Sequence, residues 1–341
     1  MKYTYYKYST TVNIIKKDFK DKFPISFFNK IDLWRKGFLA EKQTLYQLDK
    51  NNYKAYLSDY HAAMARWINE PYNELLTNKL IFSEFVGKYI KVPKTFGVFI
   101  NGEFFSQDNR CINELINEFD VFVVKTISGG GGKGVYLINR ISENQFVINN
   151  SINYTYDEFL DFFKTLNNYI FTEFIQPSDF SKSLNHTSIN TMRILTLMDP
   201  KTNKAFIARA VQRIGVAASA PQDNFTKGGL SANIDLETGQ LSDCTRHPKS
   251  KLHQRYTHHP DTNVKIEGVT IPNWKSIESE IIEAANKLPM LKCVGWDFVL
   301  SNKGLVAIEG NHHPDPDVLQ GHEPLLTDAR IKAFYKFHKI I

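Results

Sequence analysis

The chain has 341 residues, of which 42% are hydrophobic and 23% are charged, a composition typical of one large or two ordinary globular domains. This composition excludes a disordered tail, a collagen and a long coiled coil. Lys and Arg exceed Asp and Glu by 42 to 36. Because the longest basic clusters are pairs such as Lys16 and Lys17, the surplus favours small anionic ligands over nucleic acid.

Membrane segments and cysteine frameworks are the next classes that the sequence argues against. No apolar run approaches the roughly 18 residues that a membrane span needs, and the first residues contain no apolar signal region. The three cysteines lie far apart in the sequence, so we expect neither a disulfide framework nor a paired-cysteine metal site. The expectation is a cytoplasmic protein without a membrane span.

Residues 1–88 are predicted to be helical, because apolar residues recur there at helical spacing and Gly and Pro are rare. Within them, residues 61–89 indicate two helices that are separated at Pro71, the second capped by Thr77. The many aromatic residues of 1–60 are expected to form core or the face of a homodimer.

Strand patterns dominate after residue 92 and alternate with two helices. Strands are predicted at 92–100, 121–127, 135–138, 169–175, 192–198, 205–214 and 230–239, helices at 157–166 and 279–288, and a late hairpin at 296–311. Residues 242–274 are predicted to be a long polar loop. This order predicts an α+β fold with mixed sheets.

The loop at 242–274 contains four histidines, His247, His253, His258 and His259. Zinc is disfavoured there because the loop has no cysteine partners and no helical i, i+4 histidine pair.

The segment VFVVKTISGGGGKGVYLI, residues 121–138, contains a glycine-rich loop. A dinucleotide fold requires a helix after such glycines, but a strand follows; a P-loop requires Ser or Thr after the lysine, but Gly134 follows Lys133. The remaining interpretation is a β-hairpin whose glycine tip lies across the phosphates of a nucleotide. Lys125, inside a run of valines, must find an anion or shift its pKa. The alternative is a surface hairpin with a lysine that reaches solvent.

The hairpin GWDFVLSNKGLVAIEGN, residues 295–311, places two carboxylates opposite each other. A three-residue loop at 302–304 pairs Asp297 with Glu309 on one face, about 5 Å apart, and Asn311 follows on the same face. Trp296, Phe298, Leu300, Val306 and Ile308 are predicted to form the other, apolar face. A two-residue loop would move Glu309 to that apolar face. Opposed carboxylates repel unless a cation lies between them, so the pair predicts a Mg²⁺ site; a solvated face with ordinary acids is the alternative.

Taken in order, these segments resemble the ATP-grasp superfamily of ligases, and within it the sugar-transfer associated family, which is related to ligases that add amino acids to peptides. The matching segments cover about residues 60 to 325. They are NKLIFSEFVGKYIKVPKTFG, VVKTISGGGGKGV, IFTEFIQP, SINTMRILTL, DNFTKGGLSANIDLETG, IEGVTIPNW and GWDFVLSNKGLVAIEGNHHPDPDVLQ. The resemblance implies a helical N-terminal region at 1–88 and two ATP-grasp subdomains at 89–175 and 176–341.

The resemblance also implies a role for each matching position. Lys79 and Lys125 correspond to the two phosphate-binding lysines, residues 173–175 to the hinge that brackets adenine, and Asp179 to the acid that binds ribose. The implied ATP-binding residues are Lys79, Lys125, Ser128, Gly129, Gly130, Gly131, Gly132, Glu173, Phe174, Ile175 and Asp179. The implied catalytic residues are Arg193, Arg209 and Asn224, the implied Mg²⁺ ligands are Asp297, Glu309 and Asn311, and the predicted substrate contacts are Lys227, His313 and Asp315.

The activity that the resemblance implies is an ATP- and Mg²⁺-dependent ligation of a carboxylate to an amine through an acyl phosphate, possibly with a sugar as one substrate, in polysaccharide or glycan modification. Two alternatives stay open: a small-molecule kinase on the same fold, and a non-catalytic nucleotide-binding scaffold. No Ser-His-Asp or Cys-His set is apparent, and phosphoryl transfer needs none, since it depends on positioning and charge neutralisation.

Overall fold

The computed structural model describes residues 2–220, 222–248 and 254–341. Its α-helices are α1 Lys2–Asp21, α2 Phe27–Arg35, α3 Lys42–Leu45, α4 Asp59–Ala65, α5 Glu74–Thr77, α6 Lys79–Phe85, α7 Ile112–Glu118, α8 Tyr156–Lys164, α9 Asp179–Leu184, α10 Trp274–Asn286, α11 Pro316–Gln320 and α12 Ala329–Phe337. Short 3₁₀ turns lie at Tyr53–Ala55, Val86–Lys88, Phe225–Lys227 and Leu325–Thr327. No helix of the described residues is long and apolar enough to cross a membrane.

The strands form two seven-stranded sheets. The first contains β1 Thr95–Ile100, β2 Glu103–Ser106, β3 Val121–Thr126, β4 Val135–Ser142, β5 Gln145–Ile148, β6 Ile152–Thr155 and β7 Tyr169–Glu173. The second contains β8 Met192–Met198, β9 Ala205–Ile214, β10 Leu230–Ile234, β11 Leu241–Arg246, β12 Arg255–Tyr256, β13 Cys293–Ser301 and β14 Gly304–Asn311. Their orders are β2-β1-β7-β3-β4-β5-β6 and β12-β11-β10-β9-β8-β13-β14.

Every pairing between these strands is antiparallel, so the prediction of mixed sheets was wrong while the α+β class is confirmed. The antiparallel pairing follows from the connections. Consecutive strands such as β3 and β4, or β13 and β14, form hairpins, and the two strands of a hairpin are antiparallel.

Within the part of the chain that the structure describes, three large hydrophobic cores and one small cluster hold the fold together. The first sheet has its own aromatic core, in which Phe122 stacks on Phe171 with ring centroids 4.6 Å apart. One face of the second sheet, including Trp296 and Phe298, packs against α6 and α10. Part of the opposite face, including Leu195 and Val211, packs against the N-terminal helices and α12. The N-terminal region therefore shares its core with the second sheet, and part of that sheet face stays free to line a cleft.

Helix α6 begins at Lys79 because Asn78 caps it. The Asn78 side chain accepts hydrogen bonds from the N–H groups of Leu80 and Ile81, both at 3.1 Å. The prediction that Thr77 is the cap was therefore wrong by one residue. The N–H of Lys79 donates to the carbonyl of Ile127 at 2.8 Å, which fastens the start of the helix to the glycine hairpin.

The segment predicted as a loop at 242–274 contains most of β11 and all of β12, and α10 begins at its last residue; that prediction was wrong for these stretches. The alternation of apolar and polar residues that indicates a strand is weak in this segment, because β12 is only two residues long. Of its four histidines, His253 lies outside the described residues. His259 is buried, and its Nε2 lies 2.7 Å from the carbonyl of Gly215, a structural contact.

The late hairpin has a shorter turn than predicted. Ser301 pairs with Gly304, which leaves a two-residue turn, and the register then shifts between Phe298 and Asp297. This bulge at Ile308 restores the pairing of Asp297 with Glu309. Leu305 and Ala307 therefore share the core with Trp296 and Phe298, while Ile308 turns to the opposite, cleft side. The predicted placement of Val306 and Ile308 on the Trp296 face was wrong.

Candidate active site

A cleft with a volume of about 500 Å³ opens between the two sheets, within the range of small-molecule sites. Residues predicted from the sequence make up much of its lining: Lys79, Lys125, Gly129, Gly130, Gly131, Gly132, Glu173, Phe174, Ile175, Arg193, Asn224, Asp297, Glu309 and Asn311. Pro93, Val123, Leu137, Ile189 and Val299 add apolar surface. One end of the cleft is therefore charged and the other suits a flat apolar group such as a nucleobase.

Two lysines lie at the charged end, Lys79 buried and Lys125 half-buried. The Nζ of Lys79 donates to the carbonyl of Gly129 at 2.9 Å, and the Nζ of Lys125 lies 3.4 Å from the carbonyl of Ile308. Burial and the neighbouring Lys79 lower the pKa of Lys125 to about 8, and burial also lowers the pKa of Lys79. Among the described residues, no carboxylate is hydrogen-bonded to either lysine, so these two cations are suited to bind an anion.

The glycine loop closes over these lysines as the tip of the β3–β4 hairpin. Gly129, Gly131, Gly132 and Gly134 all have positive φ, which only glycine adopts at little cost. At Gly132 an added Cβ would lie 2.4 Å from the amide end of the Gln222 side chain, so the loop approaches the opposite wall closely at this residue. The loop is therefore shaped for close backbone contact.

The metal-binding residues predicted on β13 and β14 face the same cleft. Asp297 and Glu309 are direct cross-strand partners, and the amide of Asn311 donates to the carbonyl of Gly295 at 3.1 Å. Burial and the nearby Asp297 raise the pKa of Glu309. Burial alone would raise the pKa of Asp297 as well, but Arg193 and Arg213 lower it below its usual value.

Two arginines complete this wall: Arg193, which the sequence predicted, and Arg213, which it did not. Arg193 holds both carboxylate oxygens of Asp297, at 2.5 and 3.0 Å. Arg213 lies 3.5 Å from Asp297 and 3.2 Å from Asp223, and Asp223 accepts hydrogen bonds from Thr191. Arg213, Asp223 and Thr191 all line the cleft. Arg209 and Arg213 lie on the same face of β9, because alternate residues of a strand share a face, and the sequence alone predicted Arg209 for this role.

The polar loop after β9 crosses the cleft to the glycine loop. The Gln222 amide donates to the carbonyl of Gly132 at 3.1 Å, and Lys227 donates to Gln222 at 2.7 Å. Asn224 caps the following turn through hydrogen bonds from Thr226. This loop therefore covers the charged end of the cleft, next to the glycine loop.

At the other end, Glu173 ends β7 and positions the residues that follow it. Its N–H donates to the carbonyl of Lys94, and its carboxylate accepts from the N–H of Lys94 at 2.8 Å. These bonds hold Phe174 and Ile175 against the apolar part of the cleft, where a planar base would find backbone polar groups and apolar side chains.

Six predicted site residues lie outside the cleft lining: Ser128, Asp179, Arg209, Lys227, His313 and Asp315. Arg209 is paired with Glu323 at 2.6 Å, on the strand that carries Arg213 but four residues away, roughly 13 Å along the chain. Asp179 is exposed at the start of α9, where its N–H bonds to Asn302. His313 is half-buried, and burial together with Arg66 lowers its pKa to about 4.

A second charged cluster lies where the N-terminal helices meet α11. Lys42 contacts Glu41 at 2.8 Å, Asp59 at 3.6 Å and also Asp317. His247 lies 3.5 Å from Glu41 and 3.7 Å from Asp317. Burial acts against the charge of Lys42, but the three acids raise its pKa well above the ordinary value. Glu41, Asp59 and Asp317 thus share the buried ammonium of Lys42 and the imidazole of His247, so the cluster joins the N-terminal region to α11.

The cleft residues fit a Mg²⁺ ion. Among the described residues, none donates a hydrogen bond to the carboxylate of Glu309, although that group is half-buried between the sheets. Asp297 beside it and Asn311 two residues on offer further hard oxygen ligands, the donor type that Mg²⁺ prefers with few protein ligands and the remainder from phosphates. Asp297, Glu309 and Asn311 are therefore the residues that could hold the metal.

Comparisons with solved structures find distant likenesses. A complex of N5-carboxyaminoimidazole ribonucleotide synthetase with ADP is 13% identical with a TM-score of 0.43, covering 76% of this chain and 52% of its own. D-alanyl-alanine synthetase A from Vibrio cholerae is 11% identical with a TM-score of 0.43, covering 78% of this chain and 63% of its own. The VanG D-Ala:D-Ser ligase from Enterococcus faecalis is 13% identical with a TM-score of 0.41, covering 81% and 64%. This chain thus spans about half to two thirds of their lengths.

No curated protein sequence matches the chain. The sequence model of one family does match it, and does so over residues 62–327, the range that contains every residue of the cleft lining. The chain therefore belongs to the sugar-transfer associated ATP-grasp family.

Proposed function

We propose that this protein is an ATP- and Mg²⁺-dependent ligase that joins a carboxylate to an amine. One observation carries the proposal: the cleft brings the cations Lys79 and Lys125 and the glycine loop opposite the carboxylates Asp297 and Glu309. Asp297 is paired with Arg193 and Arg213, but among the described residues no side chain of opposite charge is hydrogen-bonded to Lys79, Lys125 or Glu309. A nucleotide triphosphate with its divalent ion would neutralise these three groups.

In this proposal the two sheets act as subdomains, 89–175 and 176–341, that close on ATP. Lys79, Lys125 and the N–H groups of residues 129–132 bind the phosphates, and residues 173–175 bracket the adenine. Asp297, Glu309 and Asn311 would hold Mg²⁺, which supplies charge neutralisation at the phosphates when bound.

The chemistry has two steps. A carboxylate oxygen of the substrate attacks the γ-phosphorus, the bond to ADP breaks and an acyl phosphate forms. The amine nitrogen then attacks the acyl carbon, inorganic phosphate leaves and the nitrogen loses a proton. Arg193 and Arg213 lie where they can neutralise the charge on the transferred phosphoryl group. None of the described lining residues is Ser, Cys or His, which supports positioning and charge neutralisation over covalent catalysis by the protein.

The family description supports a sugar or glycan as the setting of the reaction. An amino acid, a uronic acid and an aminosugar each supply the required carboxylate or amine. ATP supply places the reaction in the cytoplasm.

The test is an ADP-release screen in which pools of carboxylates and of amines are added separately and together, with mass measurement of the product. A ligase releases ADP only when both substrates are present. The mass of its product equals the summed masses of the carboxylic acid and the amine less one water. ADP release with a stable phosphorylated hydroxyl compound would identify a kinase instead. ATP binding without turnover in any pool, with Glu309→Gln indistinguishable from the original chain, would identify a scaffold.

A further inference from the structure

Helices α1 and α2 present an aromatic surface to solvent. Tyr8, Phe19, Phe27 and Phe28 are all exposed, Phe28 by 82% and Phe19 by 56% of their areas. Residues 8, 12, 15 and 19 recur at helical spacing, so Tyr8 and Phe19 share one face of α1 with Val12 and Ile15, which are half-buried. We call Tyr8, Phe19, Phe27 and Phe28 the N-terminal aromatic patch. Contiguous exposed apolar surface of this kind marks an interaction site.

The patch is held in shape by contacts beneath it. The ring of Trp34 lies 5.4 Å from that of Phe19 and 6.1 Å from that of Phe27. The indole N–H of Trp34 donates to Asp18 at 2.7 Å, and buried Asp18 also accepts from the N–H of Ala40 at 3.0 Å. The two helices are therefore tied to each other and to the chain behind them, and the patch is preformed.

Positive charge surrounds these rings. Lys16, Lys17, Lys20 and Lys22 are all exposed and lie within one short stretch of the chain around Phe19. Asp21 is the exposed acid in the same stretch, while Asp32 on α2 is paired with Lys36 at 2.6 Å. The patch therefore combines apolar rings with a local excess of cations.

The combination of exposed rings and lysines distinguishes between two possible partners of the patch, a second copy of the chain and a membrane surface. In a two-fold symmetric dimer each patch would face its own copy, so the lysines around Phe19 would repel the same lysines of the partner. An anionic bilayer instead accepts rings at the boundary of headgroups and acyl chains and attracts lysines to its surface. We propose that the N-terminal aromatic patch docks this protein on an anionic membrane surface. The cytoplasmic leaflet, where the proposed ATP chemistry takes place, carries negative charge.

Flotation of the full chain with vesicles tests the proposal. Binding is expected to vesicles that mix phosphatidylcholine with phosphatidylglycerol and to be much weaker with phosphatidylcholine alone. Each surface lysine contributes about fivefold in partitioning to an anionic bilayer, so Lys16→Gln with Lys20→Gln should lower binding about 25-fold. Phe28→Ser should lower it about tenfold, and raised salt should weaken it.

Matched controls keep the result interpretable. Phe337→Ser removes another exposed ring, from α12, and Lys201→Gln with Lys204→Gln removes two exposed lysines from the β8–β9 turn; both should bind vesicles like the original chain. Circular dichroism verifies that each variant is folded. Absence of binding to the anionic vesicles, or equal loss in the controls, would overturn the proposal. A concentration-dependent dimer that Phe28→Ser dissociates would overturn it in favour of a homodimer face.

Discussion

Replacing Lys125 by methionine should stabilise the protein and weaken ATP binding at the same time. Methionine has nearly the length of lysine and suits the buried valine-rich strand. A pKa of about 8 in place of the ordinary 10.5 means that the charged form costs about 3 kcal/mol in the folded chain. Removing the charge should therefore raise the free energy of unfolding by up to about 3 kcal/mol at neutral pH.

The effect on ATP has the opposite sign, because the phosphates lose a buried cation. A hydrogen bond to a charged group contributes about 1.5–3 kcal/mol, so the dissociation constant for ATP should rise about 10- to 100-fold. Titration calorimetry gives the affinity, and denaturant unfolding of the free protein gives the stability.

The pH dependence provides a second readout with a definite sign. The folded pKa of Lys125 lies below the unfolded one, so the unfolded chain binds more protons between about 8 and 10.5. The destabilisation is fully present below pH 8 and is relieved as the pH rises through that window. ATP needs the protonated lysine, so its affinity should fall as the pH rises above about 8. Lys125→Met should remove both dependences.

Lys303→Met is the matched control, since Lys303 is exposed in the turn of the β13–β14 hairpin and should change neither affinity nor stability. The reasoning is refuted if Lys125→Met destabilises the protein and leaves ATP affinity unchanged. That result would make Lys125 a structural residue whose charge is satisfied without a ligand.

Three further substitutions test the remaining parts of the cleft. Glu309→Gln should lower Mg²⁺-dependent ADP formation about 100-fold or more with the circular dichroism spectrum unchanged; retained turnover would remove the metal from this hairpin. Arg213→Met should lower kcat about 100-fold while Arg209→Met has a much smaller effect in the same steady-state assay, and the reverse order would return the catalytic role to Arg209. Gly131→Val adds a branched side chain at φ +68° in otherwise open space, so calorimetry should show lost ATP binding, whereas Gly304→Val, at φ +106° in the distant turn, should leave affinity intact.

The sequence predicted the two hairpins that form the cleft because each is a local structure. The glycine hairpin at residues 121–142 could be predicted from neighbouring residues alone, because a run of glycines separates two strand patterns. The pairing of Asp297 with Glu309 was predicted from a three-residue turn, because a two-residue turn in a regular hairpin would place Glu309 on the apolar face. The turn itself was predicted one residue too long. A bulge at Ile308 compensates, and bulges leave little trace in alternating patterns because they insert a single residue.

Long-range partners were beyond the reach of the sequence. Arg213 is important because it meets Asp223 and Asp297, and nothing in the spacing of β9 distinguishes it from Arg209, which has the same parity on the strand. Lys42 and Asp317, 275 positions apart, come together only when the N-terminal helices pack on the second sheet. Such pairs depend on tertiary packing and not on local pattern.

Two lysines of this molecule differ in the source of their counter-charge. Lys42 meets three acids, and its pKa is raised well above the ordinary value, as expected where the folded chain itself supplies the counter-charge. Lys125 is half-buried and its pKa is lowered, and its hydrogen-bond partner is a carbonyl although Glu309 lines the same cleft. Glu309 shows the mirror image, with a raised pKa. If Lys125 and Glu309 were a purely structural pair, they would form a salt bridge with each other, because that contact would reduce the cost of burying both charges. Charges of both signs kept apart across a cleft are instead poised for a ligand that carries both, a polyphosphate with its metal ion.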